Sequence, residues 1–277
     1  MTDAFEWRGR VGEAWAEEWR RTDRTLAPVQ NALLETLLPL LPPSGALLDI
    51  GCGAGSISLA FADARPDVRV TGIDLSEALI AAARERALGR AAFEVGDASA
   101  WRPADGRRFD ALVSRHGVMF FDDPVAAFAH LRTLAAPGAP LVFSCFRARD
   151  ENPWAAALIP IVQHFAPDAA AAPPPDKGPF AFADPARIEA ILAGAGFGRP
   201  EIAPFDFTFV AGEGDDPVAD ALAYFGRIGP FAALLRELDE PRRAEARAML
   251  AVIAERHCEG GEVRFRAAAW IVSCVSA

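Results

Sequence analysis

The stretch Leu47-Leu48-Asp49-Ile50-Gly51-Cys52-Gly53-Ala54-Gly55-Ser56-Ile57-Ser58 constrains the fold more than any other part of the chain. Ala46 to Ile50 form an apolar run, broken only by Asp49, between Pro42, Pro43 and Gly45 on one side and glycines on the other. A strand buried on both faces reads this way. Glycines at alternate positions let the backbone turn sharply and lie against a ligand with no Cβ between them. Ile57 to Ala64 continue as an apolar helix, whose first amides are oriented donors.

Two kinds of ligand use such a turn. Dinucleotide enzymes place a third glycine three residues after the second. Here that position holds Ser56, and the third glycine comes early, at Gly55. Asp49, two residues before the first glycine, would repel a pyrophosphate but suits an ammonium group or a cation. The pattern D-x-G-x-G-x-G resembles motif I of the class I S-adenosylmethionine (SAM) methyltransferases. The resemblance implies SAM as donor, with Asp49, Gly51, Cys52, Gly53 and Gly55 beside it. Two other classes stay open: a nicotinamide-dependent oxidoreductase, and a SAM-binding protein without catalysis.

The following residues keep a strand-helix rhythm. Val68 to Ile73 reads as a second strand, leading into Asp74-Leu75-Ser76, 25 residues after Asp49. An acid at this strand tip can accept from both ribose hydroxyls, with Leu75 beside it, while Ser76 caps the next helix. Ala91 to Val95 is a third strand. After it, the resemblance puts Asp97 on the adenine amino group and Ala98 on a ring nitrogen; the alternative is a turn aspartate bonding its own backbone. Phe109 to Ser114 is a fourth strand, running into Arg115-His116. A helix at 125–134, Pro137-Gly138 and a fifth strand, Pro140 to Phe146, follow. This phrase is similar to the ubiquinone and menaquinone biosynthesis methyltransferases, over 45–146. Strands alternating with helices give a doubly wound, Rossmann-like α/β fold. We expect a mostly parallel seven-stranded sheet with an antiparallel last strand. Asp49, Asp74, Asp97 and Ser114 then gather at the carboxyl edge, where such sheets bind ligands.

The flanking segments predict a cover for that edge. Residues 4–41 read as two helices, the second following Pro28. Trp7, Val11, Trp15 and Trp19 recur every four residues, either as a helix packed on the domain or as an aromatic lid. Residues 147–183 are proline-rich, with Asn152-Pro153 opening a helix. Asp184-Pro185 caps another helix, Ile202 to Val210 is a sixth strand, and a long helical link at about 215–258 precedes a last strand, Val263 to Val275. We read 1–277 as a single domain, 1–41 as an N-terminal lid, and 147–183 and 212–260 as cap insertions around a small, largely apolar acceptor.

Methyl transfer mainly requires alignment and exclusion of water. O-methylation, or C-methylation of an activated ring, leads, with N-methylation close behind. His116 follows the fourth strand at the reacting edge and is the candidate general base; its alternative is a lining residue. Arg115 is a candidate for a carboxylate, on SAM or on the acceptor; its alternative is a surface arginine. Trp19, Trp154, His164 and Tyr224 are candidates for acceptor contact. Asp122 and Asp123 read as helix-start residues. Cys52, Cys145, Cys258 and Cys274 form no C-x-x-C pair, so we expect neither disulfide nor metal. A net charge of −10 disfavours nucleic acid and anionic membranes. The N-terminus does not resemble a signal peptide. These features predict a cytoplasmic monomer or homodimer with a small-molecule acceptor.

Overall fold

The structure, a computed structural model, describes residues 4–167 and 177–276. The proline run Pro173-Pro174-Pro175 lies outside the described residues, as do the first three residues of the expected lid. The chain opens with three helices, α1 (Ala4–Arg8), α2 (Arg10–Glu17) and α3 (Trp19–Leu37). The alternating unit follows: β1 (Gly45–Ile50), α4 (Ser56–Ala64), β2 (Val68–Asp74), α5 (Glu77–Ala87), β3 (Ala92–Val95), β4 (Ala111–Arg115), α6 (Pro124–Leu134) and β5 (Pro140–Phe146). Beyond it lie α7 (Pro153–Ala156), α8 (Ile159–Phe165), α9 (Pro185–Gly194) and β6 (Glu201–Glu213). The last elements are α10 (Pro217–Arg227), α11 (Gly229–Glu237), α12 (Glu240–Arg256), β7 (Cys258–Glu259) and β8 (Glu262–Val275).

The sheet order is β3-β2-β1-β4-β5-β8-β6, with β7 paired to β8. β1 to β5 pair in parallel; β8 runs antiparallel to both β5 and β6. The sheet thus holds one strand more than expected, the short hairpin partner Cys258–Glu259. The central strands are apolar on both faces because helices cover both. Leu47, Leu48, Leu112, Val113, Leu141, Val142 and Phe143 are wholly buried. Register then fixes the carboxyl edge: Asp49 lies opposite Gly72 and Arg115 opposite Ser144.

The N-terminal segment departs from expectation. It is three helices, not two, and Pro28 lies inside α3 and does not start a new helix. A proline in a helix interior costs on the order of 3 kcal/mol. Here tertiary bonds hold the helix through it. Arg24 donates from Nη2 to the Ala211 carbonyl at 2.8 Å, and Thr25 donates from Oγ1 to the Val210 carbonyl at 2.9 Å. The periodicity of the tryptophans concealed breaks at Gly9 and Glu18, so the stripe is not one straight helix face. Among the described residues no single helix is long and apolar enough to cross a bilayer.

Candidate active site

The glycine turn is built by backbone bonds. The Cys52 amide donates to the Ile73 carbonyl at 3.0 Å, and the Gly55 amide to the Cys52 carbonyl at 2.9 Å. Gly51, Gly53 and Gly55 all have positive φ, at 64°, 54° and 81°, a region that penalises other residues. A Cβ on Gly53 would meet no atom within 4 Å, whereas one on Gly51 would meet the Gly117 Cα at 3.1 Å. Gly53 therefore presents bare backbone to open space, and Gly51 lets the loop after β4 close against the turn.

That open space belongs to a cavity of about 480 Å³. One wall carries Asp49, Asp74 and Asp97. Asp49 is buried, and burial pushes its carboxyl up to about 6, although Ser58 Oγ donates to it at 2.6 Å and Arg115 lies near. Such a carboxylate lacks a full counter-charge, which is the environment an incoming ammonium would satisfy. Asp74 accepts from the Gly53 amide on Oδ2 and from the Ser76 amide on Oδ1, both at 2.9 Å. It therefore braces the turn as well as facing the cavity. Asp97 accepts twice on Oδ1, from the Ser99 amide and hydroxyl. The turn role and the cavity position coexist in this residue. The bare glycine backbone, the uncompensated acid and the two further acids fit the amine, ribose and adenine of SAM.

The other walls are aromatic. Trp7, Trp15 and Trp19 line the cavity from the N-terminal helices, and Trp7 packs edge-on against Phe120 at 5.3 Å. Trp154 stacks on Phe209 with centroids 4.8 Å apart. Asn152 holds that corner: its Oδ1 accepts from the Ala268 amide at 3.0 Å, and its Nδ2 donates to the Ala268 carbonyl at 3.1 Å. Tyr224, also in the wall, is buried, which pushes its phenol up.

Arg115 is no surface arginine. Its side chain is 12% exposed and pairs with Asp23 of α3 at 3.1 Å. Asp23 also takes Arg86 at 2.7 Å, and Arg86 covers the Trp19 ring at 3.7 Å. His116 is buried in the cavity wall with φ of 62°, and its Nδ1 lies 2.7 Å from Ser144 Oγ. Among the described residues its Nε2 is buried without a partner. Burial, with Arg115 next, lowers its pKa to about 3, so the ring is neutral at pH 7 and a poor proton acceptor.

Three expectations need correction. Ser114 does not line the cavity; wholly buried, it donates to the Ile50 carbonyl at 2.7 Å and accepts from the Gly117 amide at 3.2 Å. Gly55 also lies behind the wall, where a Cβ would strike the Phe93 ring. His164 is on the surface, paired with Glu245 at 3.3 Å with half its side chain exposed. The remaining candidates, Cys52, Leu75, Ala98, Trp19, Trp154 and Tyr224 among them, do border the cavity. Asp123 caps α6, as read from Pro124, and Asp122 beside it also borders the cavity. Sequence reasoning missed Asp23, Ser144 and Phe209. Nothing local marks them, since their role arises where α3, β5 and β6 meet. All four cysteines are free, and the described residues contain no metal-binding cluster of His, Cys, Asp and Glu.

Residues 47–138 match the family described as "Methyltransferase domain". The chain is 32% identical over 132 residues to trans-aconitate 2-methyltransferase of Variovorax paradoxus, covering 48% of this chain and 49% of that one. It is 34% identical over 118 residues to phosphoethanolamine N-methyltransferase 1 of Arabidopsis thaliana, covering 42% and 24%. The matched part thus spans half or less of these relatives. Magnesium protoporphyrin IX methyltransferase from Synechocystis, solved with bound S-adenosylhomocysteine, shares the fold. Its TM-score is 0.52 at 20% identity, covering 73% of this chain and 93% of that one. Residues 47–138 thus carry the sequence pattern of a methyltransferase domain, and the chain around them has a fold that solved methyltransferases share.

Proposed function

We propose that the protein is an enzyme that transfers a methyl group from SAM to an oxygen of a small, largely apolar acceptor. The observation that carries this reading is one cavity lined both by acids at the glycine turn and by aromatic rings from the flanking helices and β6. When bound, SAM supplies an electrophilic methyl on a positive sulfonium. Asp49 offers a carboxylate to its ammonium, Asp74 to its ribose, and Asp97 to its adenine. Gly53 lets the backbone lie close to it. The aromatic walls exclude water and hold the acceptor in line, which is most of what the reaction demands.

In this reading the chain works as one domain. Residues 4–41, the described parts of 147–183 and residues 212–260 together cover the cavity. Trp19, Trp154 and Tyr224 contact the acceptor or shape its space. Calorimetric titration with SAM and with S-adenosylhomocysteine tests the donor. Micromolar binding of both supports it; tight NAD binding with neither would replace it by the dinucleotide reading. Turnover of SAM with an acceptor would distinguish an enzyme from a passive SAM binder.

A further inference from the structure

We propose that Ser144 fixes His116 as the tautomer carrying its proton on Nε2, so that His116 donates a hydrogen bond to an acceptor oxygen that arrives already ionised, a carboxylate. The substrate half rests on the methyl-transfer reading above. The tautomer half does not.

The Ser144 hydroxyl decides the tautomer. Ser144 is wholly buried on β5, and its Oγ has one recorded partner among the described residues, His116 Nδ1 at 2.7 Å. If Nδ1 carried the proton, it would donate to Oγ. The serine proton would then be buried with no acceptor, and the Nε2 lone pair would be buried with no donor. If the serine donates to Nδ1, its proton is satisfied, and the only orphan is an N–H on Nε2. Buried polar groups left without partners are costly, so the second arrangement wins. The tautomer follows from the hydrogen-bond network, as such assignments must.

The backbone holds the ring in this place. His116 adopts a left-handed conformation with φ of 62°, uncommon for a residue with a Cβ. Its amide donates to the Ser144 carbonyl at 3.2 Å, and its ring meets Phe146 edge-on at 4.1 Å. A strained residue of the cavity wall, clamped on three sides and left with one buried, unsatisfied nitrogen, points to a missing ligand atom.

An N–H at that point selects among acceptors. It cannot take a proton, and burial opposes a second proton on the ring. The acids of the cavity have other partners: Asp23 takes Arg86 and Arg115, Asp122 takes Lys177, Asp74, Asp97 and Asp123 accept from backbone amides, and Asp49 faces the ligand's ammonium in this reading. A phenol or alcohol would keep its proton, and an amine would lose attacking lone-pair density to the N–H. A carboxylate suffers neither penalty. One of its oxygens supplies the electron pair for the new O–CH3 bond, the pair of the broken C–S bond stays on sulfur, and no proton moves. Its second oxygen accepts from Nε2, with Arg115 adjacent. The product is a methyl ester.

The first test is long-range 1H–15N correlation of the full chain with 15N-labelled histidine at neutral pH, with His116 assigned by loss of its signals in His116→Asn. Asparagine tolerates the left-handed backbone, which keeps the assignment variant folded. The expected spectrum has Nε2 protonated and Nδ1 bare, and Ser144→Ala mixes the two forms. A protonated Nδ1 in the unaltered protein overturns the proposal. The second test titrates phenylacetate, 4-methylphenol and benzylamine into the complex with S-adenosylhomocysteine while following the His116 Nε2 proton. A downfield shift with phenylacetate alone is expected; no shift with it, or a larger one with the phenol or amine, overturns the carboxylate assignment. In turnover of a carboxylate, Ser144→Ala should lower kcat about tenfold while leaving SAM affinity within about twofold. Failure of S-adenosylhomocysteine to bind would sink the donor reading instead, leaving the tautomer spectrum to judge Ser144 separately.

Discussion

Lowering the pH should release SAM long before it unfolds the protein. Burial raises the Asp49 carboxyl to about 6, and only its ionised form attracts an ammonium. The ligand's amino group, with a pKa of about 8, is charged throughout the acid range. The apparent Kd then grows by the factor 1 + 10^(pKa − pH), which is about tenfold at pH 5 relative to pH 7. A carboxylate of ordinary pKa, about 4, would change Kd by roughly a tenth over the same interval. Asp74 is raised as well, and its protonation acts in the same direction. His116 stays neutral across this window. The assay is calorimetric titration at half-unit steps from pH 7 to pH 5, with circular dichroism verifying the fold at each step. A Kd constant within twofold over that range would refute the assignment of Asp49 to the ammonium. The same shift has the opposite sign for the ligand-free protein. Because the folded state holds the Asp49 proton more tightly, stability from this group is greatest below about 4 and falls as pH rises toward 6. The difference is worth on the order of 3 kcal/mol. Asp49→Asn should accordingly raise the Tm of the free protein at pH 7 while abolishing most SAM binding.

Asp74→Ala should weaken SAM by well over tenfold in calorimetry and also loosen the turn, because it removes the acceptor of the Gly53 and Ser76 amides; an unchanged Kd would misplace the ribose. His164→Ala should leave turnover within about twofold, since its exposed pair with Glu245 contributes little, and a large loss would return it to the site. Pro28→Ala should raise Tm by restoring a helical N–H inside α3; a lower Tm would mean that the ring packs better than its backbone costs. Gly12→Val should open α1 and α2, because even a Cβ there would strike Ser76 Oγ, and stopped-flow fluorescence should then record faster SAM dissociation with little change in global stability.

What the sequence made legible was whatever a short window contains. The strand run before Gly51, the offset of Asp49 and the cap at Ser76 depend on residues within a few positions, and their pattern survives folding. Alternation of strands and helices then placed Asp49, Asp74 and Asp97 at one edge without knowledge of a single contact. Reasoning failed where function depends on elements far apart in the chain. Ser144 reads as any buried strand serine until β4 pairs with β5 and brings His116 to it. Asp23 reads as a helix-surface acid until Arg86 and Arg115 converge on it. His164 erred the other way: residue type suggested chemistry, but its helix turns it to solvent. Pro28 misled because a local helix-breaking rule was overridden by bonds from α3 to β6.

The N-terminal helices are mechanically two objects joined at Glu18. Beyond that residue, α3 is fastened to β6 through Arg24 and Thr25. Before it, α1 and α2 are held by ring packing of Trp7 on Phe120, the close approach of Gly12 to Ser76 and an exposed ion pair of Glu17 with Arg227. Glu18 itself is buried and gripped by Arg21 and Arg227. Amide exchange should separate the two objects. Protection across α3 should track global unfolding, whereas α1 and α2 should open as an independent low-energy unit. A ligand beneath them would close that unit, so S-adenosylhomocysteine should slow exchange at 10–17 far more than at 26–34. The break at Glu18 would then define how much of the chain must move for a cofactor to pass.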